Sequence, residues 1–335
     1  MHGSSSNRIY TAEQRPELWK ALKDTNHPLN RAWPRFLDND LSQVHFLDSI
    51  LQYIGLRKFQ FAIVELDHAG CEIIIAHAQS IPFFWPELKQ LGNRGVGALS
   101  ASPDILQTLP DGGWDTILSR GIRQYCARNA ISSSLPVFTR DQEQDLETCI
   151  TAVKPNALSA LSITIREDHR SLGLAERLIG TMKQAAQEDN LQVLLAPLRP
   201  TRKFEFPFIT IEDYIEWSQV ISLQSGNLAP PSWIKTRLPH DPWLRKHVRL
   251  GGRIVKVAPS SMVVRGSFAE WEDWTGIDFV KFSKDYEKRK ALEEEAGKRE
   301  YIEVAITGGL VPLKVYVQEQ ACVYVEPNIW CYHKV

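Results

Sequence analysis

The sequence predicts a mixed α+β fold, and three observations support this. Strand-like and helix-like segments follow one another along the chain without an internal repeat. Two strand-like runs, Phe59–Leu66 and Cys71–Gln79, flank the turn signal Asp67–Gly70, which indicates an antiparallel hairpin. The segment 157–198 has the order strand, turn, helix, strand, and such a β-α-β unit requires one parallel pairing.

The composition is that of an ordinary globular protein. Of 335 residues, 43% are hydrophobic and 24% are charged, which is enough to build a core. The net charge of −1 gives no general attraction to nucleic acid or to an anionic membrane, so neither partner is expected. No apolar run approaches the roughly 20 residues that span a bilayer. The N-terminus lacks the apolar segment of a signal peptide.

The five cysteines are scattered, and none are spaced as C-x-x-C. Their odd number and spacing argue against a disulfide framework and against a thiolate zinc site. A reducing, cytoplasmic compartment fits this pattern best. The sequence also has no H-E-x-x-H motif and no G-x-S-x-G elbow, so neither a metal nor a serine nucleophile is expected.

Hydrophobic periodicity and turn residues predict the elements that precede the β-α-β unit. Besides the hairpin, these are a strand at 8–13, helices at 13–23 and 44–57, a Gly-rich loop with a short helix at 86–113, a helix at Trp114–Arg128, and an exposed loop at 129–145.

The same signals predict the rest of the chain, where Gly251-Gly252 is a helix-stop signal. The predicted elements are a strand at Ala157–Ile165, a helix at Leu172–Glu188, a strand at Leu191–Leu198, helices at Ile211–Val220 and Pro242–Leu250, strands at Arg253–Ala258 and Ser261–Arg265, a helical turn at Phe268–Thr275, a charged surface helix at 282–300, and a β-rich tail at 301–333.

The most informative segment is the turn between the strand at 157–165 and the helix that follows it. The first turn of a helix has free backbone N–H groups and the positive end of the dipole, and these bind anions. Gly173 and Ala175 lack bulky side chains, so a pyrophosphate could approach the backbone closely, and Arg170 adds a positive charge. The alternative interpretation is a helix start whose small residues contact the sheet.

The pattern Arg170-x-x-Gly173-x-Ala175 at this junction resembles the Gln/Arg-x-x-Gly-x-Gly/Ala signature of the GNAT superfamily of acyl-CoA-dependent N-acyltransferases. The resemblance implies a central mixed, mostly antiparallel sheet flanked by helices. It also implies a bulged strand that splays from its neighbour, with the pantetheine arm pairing with Ile163 and Ile165. The turn residues that it implies for the cofactor pyrophosphate are Arg170, Ser171, Leu172, Gly173, Leu174 and Ala175.

Further short segments of the sequence are similar to an extended GNAT subgroup, and together they are spread over most of the chain. The resemblance implies one domain over residues 1–335, with a core at about 8–266, insertions, and a C-terminal β extension at about 267–335. The matching segments are Arg8–Leu18, Ser80–Phe83, Ala196–Pro200, Asp241–Arg245, His247–Gly252, Glu270–Gly276, Gly308–Leu313 and Tyr324–Trp330.

One departure concerns the proton donor. GNAT enzymes usually place a tyrosine before the Leu-Gly-Phe helix end, where it protonates the leaving CoA thiolate. Here His247 occupies that position, and an imidazolium could supply the proton. The alternative is a histidine that only complements the negative end of the helix dipole. Tyr214 is the other candidate acid, or else a half-buried helix residue.

An alkyl amine acceptor must lose a proton before it attacks. His77 on the first hairpin is a candidate base, and the alternative is a hydrogen-bonded histidine of the core edge. Glu65 and Asp67 on the same hairpin are also possible, and Glu326 in the tail is a weaker candidate.

These observations predict a cytoplasmic acyltransferase that moves an acetyl group from acetyl-CoA, or from another acyl-CoA, to an amine of a small molecule. The near-neutral charge favours a small acceptor, since a basic protein tail requires an acidic groove. Two alternatives stay open: a GNAT-fold enzyme with divergent chemistry on a natural-product intermediate, such as O-acylation, decarboxylation or rearrangement, and a non-catalytic acyl-CoA-binding module. The protein is expected to be a monomer or a homodimer.

Overall fold

The computed structural model describes residues 7–24, 26–132, 135–149, 152–225, 232–290 and 300–335. Within these residues, nine strands form one sheet and two form a separate hairpin. In chain order the strands are β1 (Arg8–Thr11), β2 (Gln60–Leu66), β3 (Glu72–Phe83), β4 (Ala157–Ile165), β5 (Val193–Leu198), β6 (Ser218–Ser225), β7 (Ser232–Pro239), β8 (Arg253–Ser267), β9 (Ile302–Val304), β10 (Leu313–Tyr316) and β11 (Ala321–Lys334).

The large sheet has the order β1-β2-β3-β4-β5-β11-β10-β9, and β8 also pairs with β11. Among the strands that the structure describes, all pairings are antiparallel except β4 with β5, so the predicted α+β class and its parallel pairing are confirmed. Because β11 lies between β5 and β8, the C-terminal segment supplies a central strand of the sheet.

The parallel pair separates almost at once. Its register contains only Leu158 opposite Leu194 and Ser159 opposite Leu195, although β4 continues to Ile165. On its other side β4 stays paired with β3, where the register shifts and leaves Leu161 as a bulge residue. The β4 bulge and the splayed gap between β4 and β5 therefore both occur where the resemblance implied them.

Helices cover both faces of the sheet. The α-helices are α1 (Glu17–Leu22), α2 (Leu41–Phe46), α3 (Ser49–Gln52), α4 (Ile54–Arg57), α5 (Pro103–Gln107), α6 (Gly113–Arg128), α7 (Arg140–Gln144), α8 (Leu146–Cys149), α9 (Leu174–Glu188), α10 (Ile211–Glu216), α11 (Pro242–Arg249), α12 (Phe268–Thr275) and α13 (Phe279–Lys290). Short 3₁₀ helices lie at Pro28–Ala32, Arg35–Asn39, Pro86–Arg94, Val96–Ala101, Glu167–His169 and Lys203–Glu205. Among the described residues, no helix is long and apolar enough to cross a membrane.

Two main cores follow from the alternation of side chains along the strands. On β5, Val193 and Leu195 point into the core beneath α6, whereas Leu194 and Ala196 point into the core beneath α9 and α11. The two helical layers therefore lie on opposite faces of the sheet.

Several boundaries differ from the prediction. The helix predicted at 44–57 is three short helices, because Tyr53 adopts an extended conformation between α3 and α4. The helix predicted at 211–220 ends at Glu216, and the β-branched Val220 and Ile221 lie in β6. The strands predicted at 253–258 and 261–265 are one strand, which passes Pro259 through a register shift where the missing N–H is tolerated.

The regions predicted as loops also contain short helices. Residues 86–113 form two 3₁₀ helices and α5, and residues 129–145 include α7. The N-cap of α7 is Thr139, whose side chain accepts a hydrogen bond from the backbone of Gln142. Part of the charged helix predicted at 282–300 is the end of α13, and residues 291–299 lie outside the described residues.

Candidate functional site

The turn between β4 and α9 presents an array of backbone N–H groups. Ser171 and Gly173 have positive φ values of 67° and 76°, and Gly173 is the N-cap of α9. Among the described residues, no hydrogen bond uses the backbone N–H groups of residues 171–175. Backbone that alternates in this way forms a concave anion site, and the dipole of α9 adds to its positive potential.

The turn is exposed and carries positive charge. In the described part of the chain, neither Arg170 nor Arg31 forms an ion pair, whereas Arg166 pairs with Asp168. A surface cavity of about 390 Å³ adjoins the turn. Its lining residues are Pro28, Arg31, Ala32, Ile165, Arg166, Glu167, Asp168 and Arg170. Arg31 was missed by sequence reasoning because no motif connects it with a turn so distant along the chain.

The gap beside β4 exposes the backbone groups that a ligand would need. The N–H of Arg166 donates to the carbonyl of Ile75 on β3. Since successive residues of a strand point in opposite directions, the polar groups of Ile165 and Ile163 point away from β3 and toward β5. The described register of β4 with β5 ends at Ser159. Both isoleucines therefore line the gap with free main-chain groups.

His247 lies in the last turn of α11 and is buried against β11. Its Nδ1 is 2.8 Å from Nε2 of His333, and the ring of Trp243 packs edge-on at 4.6 Å. Its own Nε2 is buried without a partner among the described residues. Burial lowers the pKa of His247 to about 3, with the positive charge of Lys246 as a further cause. At neutral pH the ring is therefore uncharged in this structure, and an imidazolium here requires that pKa to rise.

This histidine pair belongs to a cluster of three side chains of the kinds that ligate metals. One ligand atom each of His247, His333 and Cys331 lies within 4.8 Å of the others. No sequence motif indicates this cluster, because Cys331 and His333 are more than 80 residues from His247 along the chain. Burial raises the pKa of the Cys331 thiol to about 12 and lowers the pKa values of both histidines, and the charges of Lys183 and Lys246 lower the histidine values further.

Tyr214 belongs to α10 and contacts the N-terminal end of α11, opposite the end that contains His247. Its hydroxyl donates to Oδ2 of Asp241 at 3.0 Å, and the carboxylate of Asp241 caps α11 by accepting from the backbone of Trp243 and Leu244. Burial, together with the charge of Asp241, raises the pKa of Tyr214. About six residues of helix separate this cap from His247, which corresponds to roughly 9 Å at 1.5 Å per residue. The two candidate acids therefore occupy different places.

His77 lies on β3 opposite Thr164 of β4, close to the splayed gap. Its Nδ1 is buried without a partner in the described part of the chain. Burial lowers the pKa of His77 to about 4, with a contribution from His27, so the ring is neutral at pH 7. The indole of Trp33 donates to the hydroxyl of Thr164 at 3.1 Å and places an aromatic wall near this position.

The basic residues that follow β5 are occupied within the protein. Arg199 forms a buried ion pair with Glu326, Arg202 pairs with Glu205, and the ammonium of Lys203 donates to two backbone carbonyls. Glu326 accepts hydrogen bonds from Arg199 and Tyr324, so its oxygens are already used. These contacts give the three basic residues and Glu326 a structural role in holding this part of the fold together.

His169 is a further residue that sequence reasoning missed. It ends the 3₁₀ turn before Arg170, and its two ring nitrogens lie 2.6 Å from Asp168 and 2.6 Å from Glu65. The neighbouring Asp168 is visible in the sequence. Glu65 is 104 residues away, so only the folded chain brings the second carboxylate to the ring.

The chain is similar over nearly its whole length to a fungal enzyme, although no protein-family model matches it. The chain is 28% identical over 328 residues to the arginine N-acetyltransferase avaD of Aspergillus versicolor, and the match covers 98% of this chain and 93% of that protein.

Two solved structures are similar to parts of the chain. The loading GNATL domain of CurA from Lyngbya majuscula has 16% identity and a TM-score of 0.40, covering 76% of this chain and 88% of that domain. The GNAT-like decarboxylase GphF, solved in complex with isobutyryl-CoA, has 15% identity and a TM-score of 0.39, covering 76% of this chain and 90% of its own.

Proposed function

We propose that the chain is a member of the GNAT superfamily and an acyl-CoA-dependent N-acyltransferase acting on an amine of a small molecule. The donor is acetyl-CoA or another acyl-CoA. The relative that supports this proposal spans nearly the whole chain and is an N-acetyltransferase.

The turn before α9 is the observation that carries the proposal. Among the described residues the N–H groups of residues 171–175 form no hydrogen bond, and residues 170–173 are exposed, an arrangement suited to a pyrophosphate. The gap between β4 and β5 begins after Ser159 and leaves the main chain of Ile163 and Ile165 free. A pantetheine arm that pairs with these groups would direct the thioester into the sheet.

The acceptor that we propose to test first is arginine, because the relative is named for it. In the reaction the neutral amine nitrogen attacks the thioester carbon, a C–N bond forms, and the C–S bond breaks. One proton leaves the nitrogen, and one proton is taken up by the CoA thiolate. Placing the acceptor nitrogen beside the thioester supplies much of the rate enhancement.

His247, Tyr214 and His77 are the proposed proton-transfer groups. A thiolate that forms beside Nε2 of His247 would raise the pKa of that ring, which would favour its protonation. Tyr214 is less available because its proton is shared with Asp241. His77 is neutral and can accept a proton, but its lowered pKa makes it a weak base at pH 7.

The cofactor site is tested by titration calorimetry with acetyl-CoA and CoA. In Gly173→Glu, binding should be lost, because φ of 76° strains any side chain and a carboxylate would repel the pyrophosphate. The matched control is Gly180→Glu on the exposed side of the same helix, where a Cβ meets no atom within 4 Å. Native protein that binds neither ligand would refute the proposal.

The catalytic residues are tested by steady-state kinetics with arginine and a panel of other amines. If His247 supplies the proton, His247→Phe should lower kcat by about a hundredfold or more and leave KM for acetyl-CoA nearly unchanged. Tyr214→Phe should keep most of the activity and lose some stability, because it removes one hydrogen bond from the α11 cap. The reverse result would assign the acid to Tyr214.

A further inference from the structure

We propose that His169 is a positioning residue for the proposed cofactor site: a cationic clamp between Glu65 and Asp168 that holds the anion-binding turn in place and releases it on deprotonation. This inference rests on the proposed function, because it concerns the affinity of the same turn for the cofactor.

The protonation state follows from the donors and acceptors. Nδ1 of His169 lies 2.6 Å from Oδ1 of Asp168, and Nε2 lies 2.6 Å from Oε1 of Glu65. An ionised carboxylate only accepts hydrogen bonds, and a neutral imidazole has only one N–H to donate. With both carboxylates ionised, two such contacts at once require both nitrogens to carry protons, which makes the ring an imidazolium.

The electrostatics agree with the geometry. Burial lowers the pKa of His169, but the hydrogen bonds to Asp168 and Glu65 outweigh it, and the net pKa lies above the ordinary value. The hydrogen bonds of Arg166 and His169 lower the pKa of Asp168 to about 2, so that carboxylate is ionised. The ring is partly exposed, so each contact is weakened by solvent.

Among the described residues, the charged groups around the ring and its turn come from three elements, one of which is the 3₁₀ helix Pro28–Ala32, whose Arg31 lines the same cavity as Asp168 and Arg170. Glu65 is at the end of β2, and the turn itself contributes Arg166, Glu167, Asp168 and Arg170. Asp168 is shared, because Arg166 donates to both of its oxygens while His169 donates to one. A neutral ring keeps one N–H and can donate to only one of the two carboxylates, so the link between Asp168 and Glu65 depends on the ring charge.

The clamp sits immediately before the anion site. His169 precedes Arg170, and the unused N–H groups begin at Ser171. Fixing the ring to β2 through Glu65 fixes the backbone that enters the array, and the positive charge of the ring adds to the potential at the turn. Both effects favour a bound pyrophosphate, and both weaken when the ring loses its proton.

The sign of the pH dependence is set by these contacts. A histidine with a raised pKa is protonated at low pH and loses the clamp as pH rises through that pKa. Affinity for the cofactor should therefore fall as pH rises from about 6 to about 8.5, by about fivefold or more.

The test is calorimetric titration of the full chain with dephospho-CoA, a probe that lacks the 3′-phosphate and so does not titrate in this range. The wild type should show the fall in affinity, and His169→Phe should bind about fivefold more weakly at pH 6 with a flat profile. His68→Gln, an exposed histidine in the turn after β2, is the matched control and should behave as wild type. In kinetics, His169→Phe should raise KM for the acyl-CoA and leave kcat unchanged.

A second variant keeps the test decisive if His169→Phe does not fold. Glu65→Gln removes one carboxylate, lowers the pKa of His169, and should move the fall in affinity to lower pH. Unchanged affinity and pH profile in a folded His169→Phe protein, or an unchanged midpoint in Glu65→Gln, would refute the clamp while leaving the proposed function intact. A wild type that binds no dephospho-CoA and no acetyl-CoA would refute the proposed function, and the clamp with it.

Discussion

The indole Nε1 of Trp114 donates a hydrogen bond to the carbonyl oxygen of Leu161 at 2.9 Å. Leu161 is the bulge residue of β4, where the strand leaves β5, and Trp114 lies in the first turn of α6. The contact occupies a buried carbonyl group that the disrupted ladder leaves free, and it joins the helical layer to the bulge.

Removing this donor should destabilise the protein. In Trp114→Phe, the carbonyl of Leu161 loses its buried partner, and we expect a loss of about 1 to 3 kcal/mol in the free energy of unfolding. Urea denaturation measures it. Trp274→Phe is the control, since no hydrogen bond of that indole occurs among the described residues. Equal losses in the two variants would mean that aromatic packing, not the hydrogen bond, determines the effect.

The two glycines that end α11 should respond differently to alanine. Gly251 has φ of 83°, and a Cβ added there would meet no atom within 4 Å, so Gly251→Ala should cost about 1 kcal/mol of backbone strain. At Gly252, a Cβ would lie 2.7 Å from the carbonyl oxygen of His247 and 2.7 Å from the ring of His333. Gly252→Ala should therefore cost about 3 kcal/mol. Thermal unfolding of both variants tests the order, and a larger loss at Gly251 would contradict it.

The buried histidine pair should make stability depend on pH. The pKa values of His247 and His333 are lowered to about 3 and about 4, so the unfolded chain binds more protons at mildly acidic pH. Their contribution to stability is present above the unfolded pKa of about 6.5 and is lost as pH falls, approaching roughly 1.4 kcal/mol per pH unit for each group.

The comparison is between wild type and the double variant His247→Phe/His333→Phe, by urea unfolding at several pH values from 7.5 to about 5. The double variant should show the weaker decline toward low pH. The raised pKa of Asp115 acts in the opposite direction in both proteins, so the difference between them isolates the pair. Parallel curves would show that the histidines are not buried as neutral rings.

The ion pair at the end of β5 should be costly to break from one side. Glu326 is fully buried and accepts from Nε of Arg199 at 2.8 Å and from the hydroxyl of Tyr324 at 2.7 Å. Glu326→Gln leaves the Arg199 guanidinium without its counter-ion, and we expect a loss of about 3 kcal/mol or more. Adding Arg199→Met should recover part of it. A single variant as stable as wild type would show that the pair carries no net charge interaction.

The sequence was sufficient where the signal is local. The strand Ala157–Ile165 has the predicted bounds, and α9 begins two residues after the predicted start, because a buried strand, a small-residue turn and an amphipathic helix are each visible in a short window. The β6–β7 hairpin was not predicted, because β6 mixes the apolar Val220, Ile221 and Leu223 with polar residues and Val220 was assigned to the end of the preceding helix.

The side-chain partners of the candidate site could not be predicted in the same way. His247 meets His333 across 86 residues, and His169 meets Glu65 across 104. Such contacts depend on the positions that β11 and β2 take in the sheet. The hydrophobic periodicity of the sequence indicates that a segment is a strand, but it does not indicate which strands become neighbours. The neutral state of His247 follows from its burial, so it too depends on the tertiary fold.

The two-residue junction between β4 and β5 divides the sheet mechanically. β1 to β4 form one antiparallel block, and β5, β11, β10, β9 and β8 form another. Among the described residues, the main-chain hydrogen bonds between the blocks lie near Leu158 and Leu194, where the N–H of Gln192 also donates to the carbonyl of Asn156. Under load, or during transient opening, this line should part before either block unravels. A molecule that forms hydrogen bonds along the free edge of β4 would take the place of a strand and link the two blocks. Its release would remove that link and make the junction between the blocks less stable.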